Sequence, residues 1–146
     1  MTLETIPTMA SVLTPFPYHI GSAAPIDDAK QLMRQHNIRH LIVMDNGDIC
    51  GLVSDREIQH HSALYGVDKE SHLTVNDIGI NPVVMADIHD PLDKVLEAMA
   101  ERRLGSVVVL RKGELAGIFT TVDACHYFAH FLQKVCTHND IPDIVA

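Results

Sequence analysis

The sequence overlays on itself without a gap at an offset of 66 residues, the distance from Pro25 to Pro91. At that offset Asp27 falls on Asp93, Met33 on Met99, Val43 on Val109, Gly47 on Gly113 and Gly51 on Gly117. Apolar character is kept between the identities: Ile38 with Leu104, Leu41 with Val107, Ile42 with Val108, Leu52 with Ile118. Upstream, Thr8 to Val12 lies over Thr74 to Ile78. A register that holds both glycines without a gap marks an internal duplication, and a duplicated supersecondary unit buries its apolar face by combining with its neighbour.

Each copy reads as β-α-β-β-α, an α+β fold class. Pro25 and Pro91 stand where a first helical residue tolerates a missing N–H, with Asp27 and Asp93 in the first turn near the positive helix end. Ile26, Ala29 and Met33 recur at helical spacing, as do Leu92, Val95, Leu96 and Met99. Runs of β-branched residues follow, Leu41 to Met44 and Val107 to Leu110, each closed by a short turn carrying Gly47 or Gly113. A second apolar run then completes a hairpin, Ile49 to Val53 or Leu115 to Phe119. Further helices are expected from Asp55 and Thr121, and edge strands near Tyr18–Ile20 and Val83–Ala86. The sheets are expected to pack face to face under pseudo-two-fold symmetry. Repeat 1 is set at 8–66, repeat 2 at 72–137, and a polar tail at 138–146.

Composition narrows the function classes. With 47% hydrophobic and 21% charged residues, the chain has the balance of a soluble globular domain. No apolar run reaches the length of a membrane span. The first residues lack the basic and apolar regions of a secretory signal, and three cysteines without CxxC spacing fit a reducing compartment, so a cytoplasmic setting is expected. A net charge of −8 with no Lys/Arg cluster argues against nucleic acid as a partner. No nucleophile elbow, Walker loop or catalytic triad is visible, so a binding module rather than an enzyme is expected.

The run Ile38-Arg39-His40-Leu41 through Asp45-Asn46-Gly47 to Gly51-Leu52-Val53-Ser54-Asp55-Arg56-Glu57, between two helices, resembles a cystathionine-β-synthase (CBS) repeat. So does Leu104-Gly105-Ser106 through Arg111-Lys112-Gly113 to Gly117-Ile118-Phe119-Thr120-Thr121-Val122-Asp123. The likeness covers nearly the whole chain, and such repeats pair into Bateman modules that tend to dimerise. It implies a stand-alone regulatory module, a ligand class of adenosine compounds (AMP, ADP or ATP, with S-adenosylmethionine as an alternative), and clefts between the repeats. No cofactor and no metal site are assigned; a homodimer and an unidentified protein partner are expected.

The family's ligand signature, Gly-hydrophobic-x-Ser/Thr-x-x-Asp, is complete in the second copy at Gly117, Thr120 and Asp123. A glycine admits close approach, a hydroxyl at a helix start supports phosphate binding, and an Asp has acceptors for both hydroxyls of a ribose. The same residues also spell a helix capping box, which needs no ligand. The first copy carries Ser54 and Glu57, and Glu suits a cap better than a ribose, so that cleft is read as degenerate. Arg39 and His40 open the middle strand of repeat 1, where related modules place phosphate contacts for the other repeat's cleft; Val83 and Val84 are assigned to the purine. Two alternatives stay open. One is an interaction scaffold with vestigial clefts. The other is a metal or pH sensor built on His126 and His130, which share a helix face at i, i+4. Tyr127, Phe128 and Phe131 on that helix fit either core packing or a dimer seam.

Overall fold

A computed structural model describes residues 4–15, 18–66 and 72–138. The element order is α1 (Met9–Val12), β1 (Thr14–Pro15), β2 (His19–Ile20), α2 (Ile26–His36), β3 (His40–Asp45), β4 (Asp48–Ser54), α3 (Asp55–Tyr65), α4 (Val75–Ile78), β5 (Met85–Asp87), α5 (Leu92–Arg102), β6 (Ser106–Arg111), β7 (Glu114–Thr120) and α6 (Thr121–Val135). The expected tail falls outside the described residues from position 139 onward.

Two compact units emerge, and they exchange leading segments. One is the continuous stretch Phe16–Val84; the other joins Met1–Pro15 to Met85–Ala146. In the continuous unit the sheet order is β2-β3-β4, with β2 parallel to β3 and β4 antiparallel. Its helix-facing core is Ile20, Ile26, Ala29, Met33, Leu41, Val43, Val53, Ile58 and Val75. In the joined unit the order is β1-β7-β6-β5, and the core is Met9, Ala86, Ile88, Leu92, Val95, Met99, Val107, Val109 and Phe119. Strand alternation turns Ile42 and Leu52, or Val108 and Ile118, to the second face of each sheet, and these four are buried as well.

The expected helices and hairpins are present, the edge strand expected near Val83–Ala86 runs instead over Met85–Asp87, and two helix starts are shifted. Pro25 and Pro91 occupy the N-cap, not the first helical position. Their φ values of −59° and −72° suit either place, but ψ values of 145° and 138° keep them extended, and each carbonyl receives the first helical N–H bonds.

The duplication reaches the backbone conformation. Both hairpins turn through two residues of positive φ, Asn46-Gly47 and Lys112-Gly113, as a type I′ turn requires. Both α2 and α5 end on a left-handed residue, Asn37 or Arg103. Asparagine tolerates that conformation, whereas Arg103 and Lys112 bear the clash of Cβ with the backbone. Lys112→Asn is therefore expected to stabilise the protein by about 0.5–1 kcal/mol. Thermal unfolding checks it; a midpoint unchanged or lowered goes against the strain argument.

Candidate functional site

Each repeat's last strand runs into its last helix through a reciprocal cap. At the start of α6 the Thr120 hydroxyl accepts from the Asp123 N–H at 3.2 Å and donates to Asp123 Oδ2 at 3.0 Å; the Thr120 N–H donates to the same oxygen at 2.9 Å. At the start of α3 the Glu57 N–H donates to Ser54 Oγ at 3.3 Å and the Ser54 N–H to Glu57 Oε2 at 3.0 Å. The shorter carboxylate thus closes its cap as well as the longer one, and Glu57's extra methylene confers no better reach. A third box, Thr74 with Asp77, opens α4.

What separates the two carboxylates is the oxygen left over. Asp123 Oδ1 meets the Thr14 hydroxyl at 3.5 Å, beyond the usual O–H···O range, and no other hydrogen-bond donor among the described residues. At the helix start the Thr121 N–H is taken by the Gly105 carbonyl at 3.0 Å and the Asp123 N–H by Thr120. Asp123 and Thr120 are both half-buried, open enough to be reached.

Gly117 lies over the protein's own backbone. β1 pairs antiparallel with β7, setting Thr14 beside Ile118 and Pro15 beside Gly117. A Cβ on Gly117 would overlap the Thr14 carbonyl oxygen and come within 2.6 Å of Leu13 Cδ1. Gly51 is crossed in the same way by the Asn81 carbonyl and the Ile80 side chain. The close approach expected at Gly117 is thus used by the chain itself.

Arg39 and His40 stand beside the first copy's cap. His40 pairs with Ser54 across β3 and β4, and the Arg39 carbonyl accepts from the Asp55 N–H at 2.8 Å. Ser106 and Gly105 hold the equivalent places beside Thr120 and Thr121. Val83 and Val84, both half-buried, follow Asn81, whose backbone exchanges hydrogen bonds of 2.9 and 3.0 Å with Leu52. Arg39, His40, Ser54, Glu57, Val83 and Val84 therefore belong to the continuous unit, and Gly117, Thr120 and Asp123 to the joined one. Thr14 is the site neighbour that sequence reasoning missed. The offset lays it over Ile80, whereas the strand pairing makes Asn81 its counterpart, one residue out of register, so the overlay of the copies does not mark it.

Burial pushes the His40 imidazole below its ordinary 6.5; the Glu57 charge pulls it back up and Arg39 pushes it down. A lowered folded-state pKa means the unfolded chain takes the proton first. Stability is therefore whole above the ordinary value and declines as pH falls from there toward the folded value. Unfolding midpoints measured from about pH 7 to about pH 5 are expected to fall less steeply in His40→Gln than in the wild type. Parallel slopes would remove His40 from the acid response.

The last helix, α6, has no buried residue over its 15 positions, and Val122, Phe128 and Val135 are 62%, 58% and 52% exposed. That overturns core packing as the account of its aromatics: Tyr127, Phe128 and Phe131 face outward. A groove of about 460 Å³ runs along it, lined by Glu4, Tyr127, His130, Phe131, Gln133 and Lys134, with Lys134 3.5 Å from Glu4. His126 and His130 are exposed, and no group of three or more His, Cys, Asp or Glu among the described residues is placed to hold a metal. No helix among them is long and apolar enough to cross a membrane.

A sequence model of the CBS domain matches residues 9–63 and again 75–130. The chain belongs to the CBS-domain family. Its two CBS repeats are similar to hypoxic response protein 1 of Mycobacterium tuberculosis, 24% identical over 124 residues that span 81% of this chain and 86% of that protein. Among solved structures, the CBS domain pair of protein MJ0100, in complex with 5′-methylthioadenosine and S-adenosyl-L-methionine, has a TM-score of 0.74 at 25% identity, covering 87% of this chain and 99% of that one. The CBS domain of a bacterial CNNM/CorC family Mg2+ transporter, in complex with ATP, shares the fold at a TM-score of 0.74 and 19% identity, covering 84% and 87%.

Proposed function

We propose that this CBS-domain pair is a regulatory module that binds an adenosine-containing nucleotide at the Thr120–Asp123 signature and signals to a protein partner. The observation that carries the reading is the Asp123 carboxylate, which caps α6 through Oδ2 alone and keeps Oδ1 available for a sugar hydroxyl. The adenosine ligands held by two similar CBS structures support the ligand class. The signal is limited by the ligand's difference in affinity between two arrangements of the protein.

The apolar outer face of α6 supports a homodimer as the assembly. Calorimetry with AMP, ADP, ATP and S-adenosylmethionine tests the ligand class: at least one is expected to give saturable heat, and silence from all four ends the proposal. Sedimentation of the same samples is expected to return twice the chain mass.

A further inference from the structure

We infer that the Thr14 hydroxyl is a specificity-determining group that reads the ribose of the bound nucleotide jointly with Asp123. The inference rests on the nucleotide reading above and adds a residue to it from outside the signature. Thr14 is fixed in place by its backbone: it pairs with Ile118, and its carbonyl lies against the bare face of Gly117. From there its side chain, on an exposed residue, points Oγ1 at Asp123 Oδ1 across 3.5 Å.

That separation is too long for a good direct hydrogen bond, whose O···O distance centres near 2.7–2.8 Å. It suits two oxygens that share a third. A sugar hydroxyl seated above the pair accepts from Thr14 and donates to Asp123 Oδ1, so the hydrogen bonds run one way, from Thr14 through the sugar to the carboxylate. Oδ2 does not compete for it, because Thr120 occupies that oxygen twice. The position that crosses the other repeat's glycine as Thr14 does is Asn81, which pairs with Leu52 and carries an amide in place of the hydroxyl, so the hydroxyl stands only beside the copy that carries the complete signature.

The test compares wild type, Thr14→Val and Thr14→Ser by calorimetry. The probes are AMP or ATP, whichever binds wild type tighter, and its 2′-deoxy and 3′-deoxy forms. Thr14→Val is expected to bind the ribonucleotide about tenfold more weakly, the loss of one hydrogen bond. Thr14→Ser, which keeps the hydroxyl, is expected to stay within about threefold of wild type. The deoxynucleotide that lacks the bridging hydroxyl should bind wild type and Thr14→Val alike. Equal ribonucleotide affinity in wild type and Thr14→Val overturns the inference while leaving the nucleotide reading intact. So does an equal loss for all three ligands, which would mark Thr14 as merely structural. A wild type that binds neither AMP nor ATP overturns the inference, and silence from S-adenosylmethionine and ADP as well removes the nucleotide reading.

Discussion

Replacing Gly117 with alanine is expected to destabilise the protein by about 3 kcal/mol, the upper end of the cost of overpacking. The added methyl would meet a backbone carbonyl, that of Thr14, and Leu13 Cδ1 at 2.6 Å. A flexible side chain can swing aside; a carbonyl held in a strand pairing moves only with its strand. The expected result is a drop of about 10 °C in the unfolding midpoint, with β1 detached from the sheet. Gly105→Ala is the control. It lies in the same unit with nothing within 4 Å of its added Cβ, and the other repeat carries Arg39 at that place. Its midpoint is expected to stay within a degree or two of wild type, since such open substitutions change stability by about 0.5 kcal/mol or less. Equal midpoints for the two variants would mean that β1 does not press on Gly117.

Asp123→Glu is expected to abolish nucleotide binding while leaving folding almost untouched. The two roles of Asp123 are superimposed, so Asp123→Ala loses both: a cap, about 1 kcal/mol, and the ligand acceptor. Glutamate keeps the first role, as Glu57 shows by receiving the Ser54 N–H at 3.0 Å. Its longer side chain carries the second oxygen away from Thr14 and into the space a sugar would take. Affinity is expected to fall by at least about 100-fold, the loss of charge-assisted hydrogen bonds to a diol, with stability changed by less than about 0.5 kcal/mol. Glu57→Ala should lose a cap's worth of stability and keep binding. Full affinity in Asp123→Glu would reduce Asp123 to a helix cap.

The parts of the fold governed by local rules were legible in the sequence. Positive φ at Asn46 and Gly47, and at their equivalents 66 residues on, follows from what a two-residue hairpin needs. The caps at Ser54 and Thr120 follow from hydroxyl and carboxylate spacing. The partner of each leading strand was not legible. Gly51 and Gly117 are kept in both copies and would receive an edge strand from either, so the pattern is the same with or without exchange. The consequence falls on the site: a scan along the second copy reaches Gly117, Thr120 and Asp123 but never Thr14, more than a hundred positions earlier. The exposure of α6 was hidden for a related reason. A wide apolar arc states how much surface a helix offers, not whether its own chain covers it.

The exchange of leading segments also sets an order of events during synthesis. Met9 to Pro15 are made before the stretch Phe16–Val84, yet the sheet that receives them ends at Thr120, made after it. Throughout that interval Met9, fully buried in the finished protein, has no lobe to enter, while the stretch from Phe16 to Val84 already holds all of its own strands. Nascent chains therefore complete the Phe16–Val84 lobe first and carry the apolar leading segment unpaired until Thr120 has been made, the period in which a chaperone has most to guard.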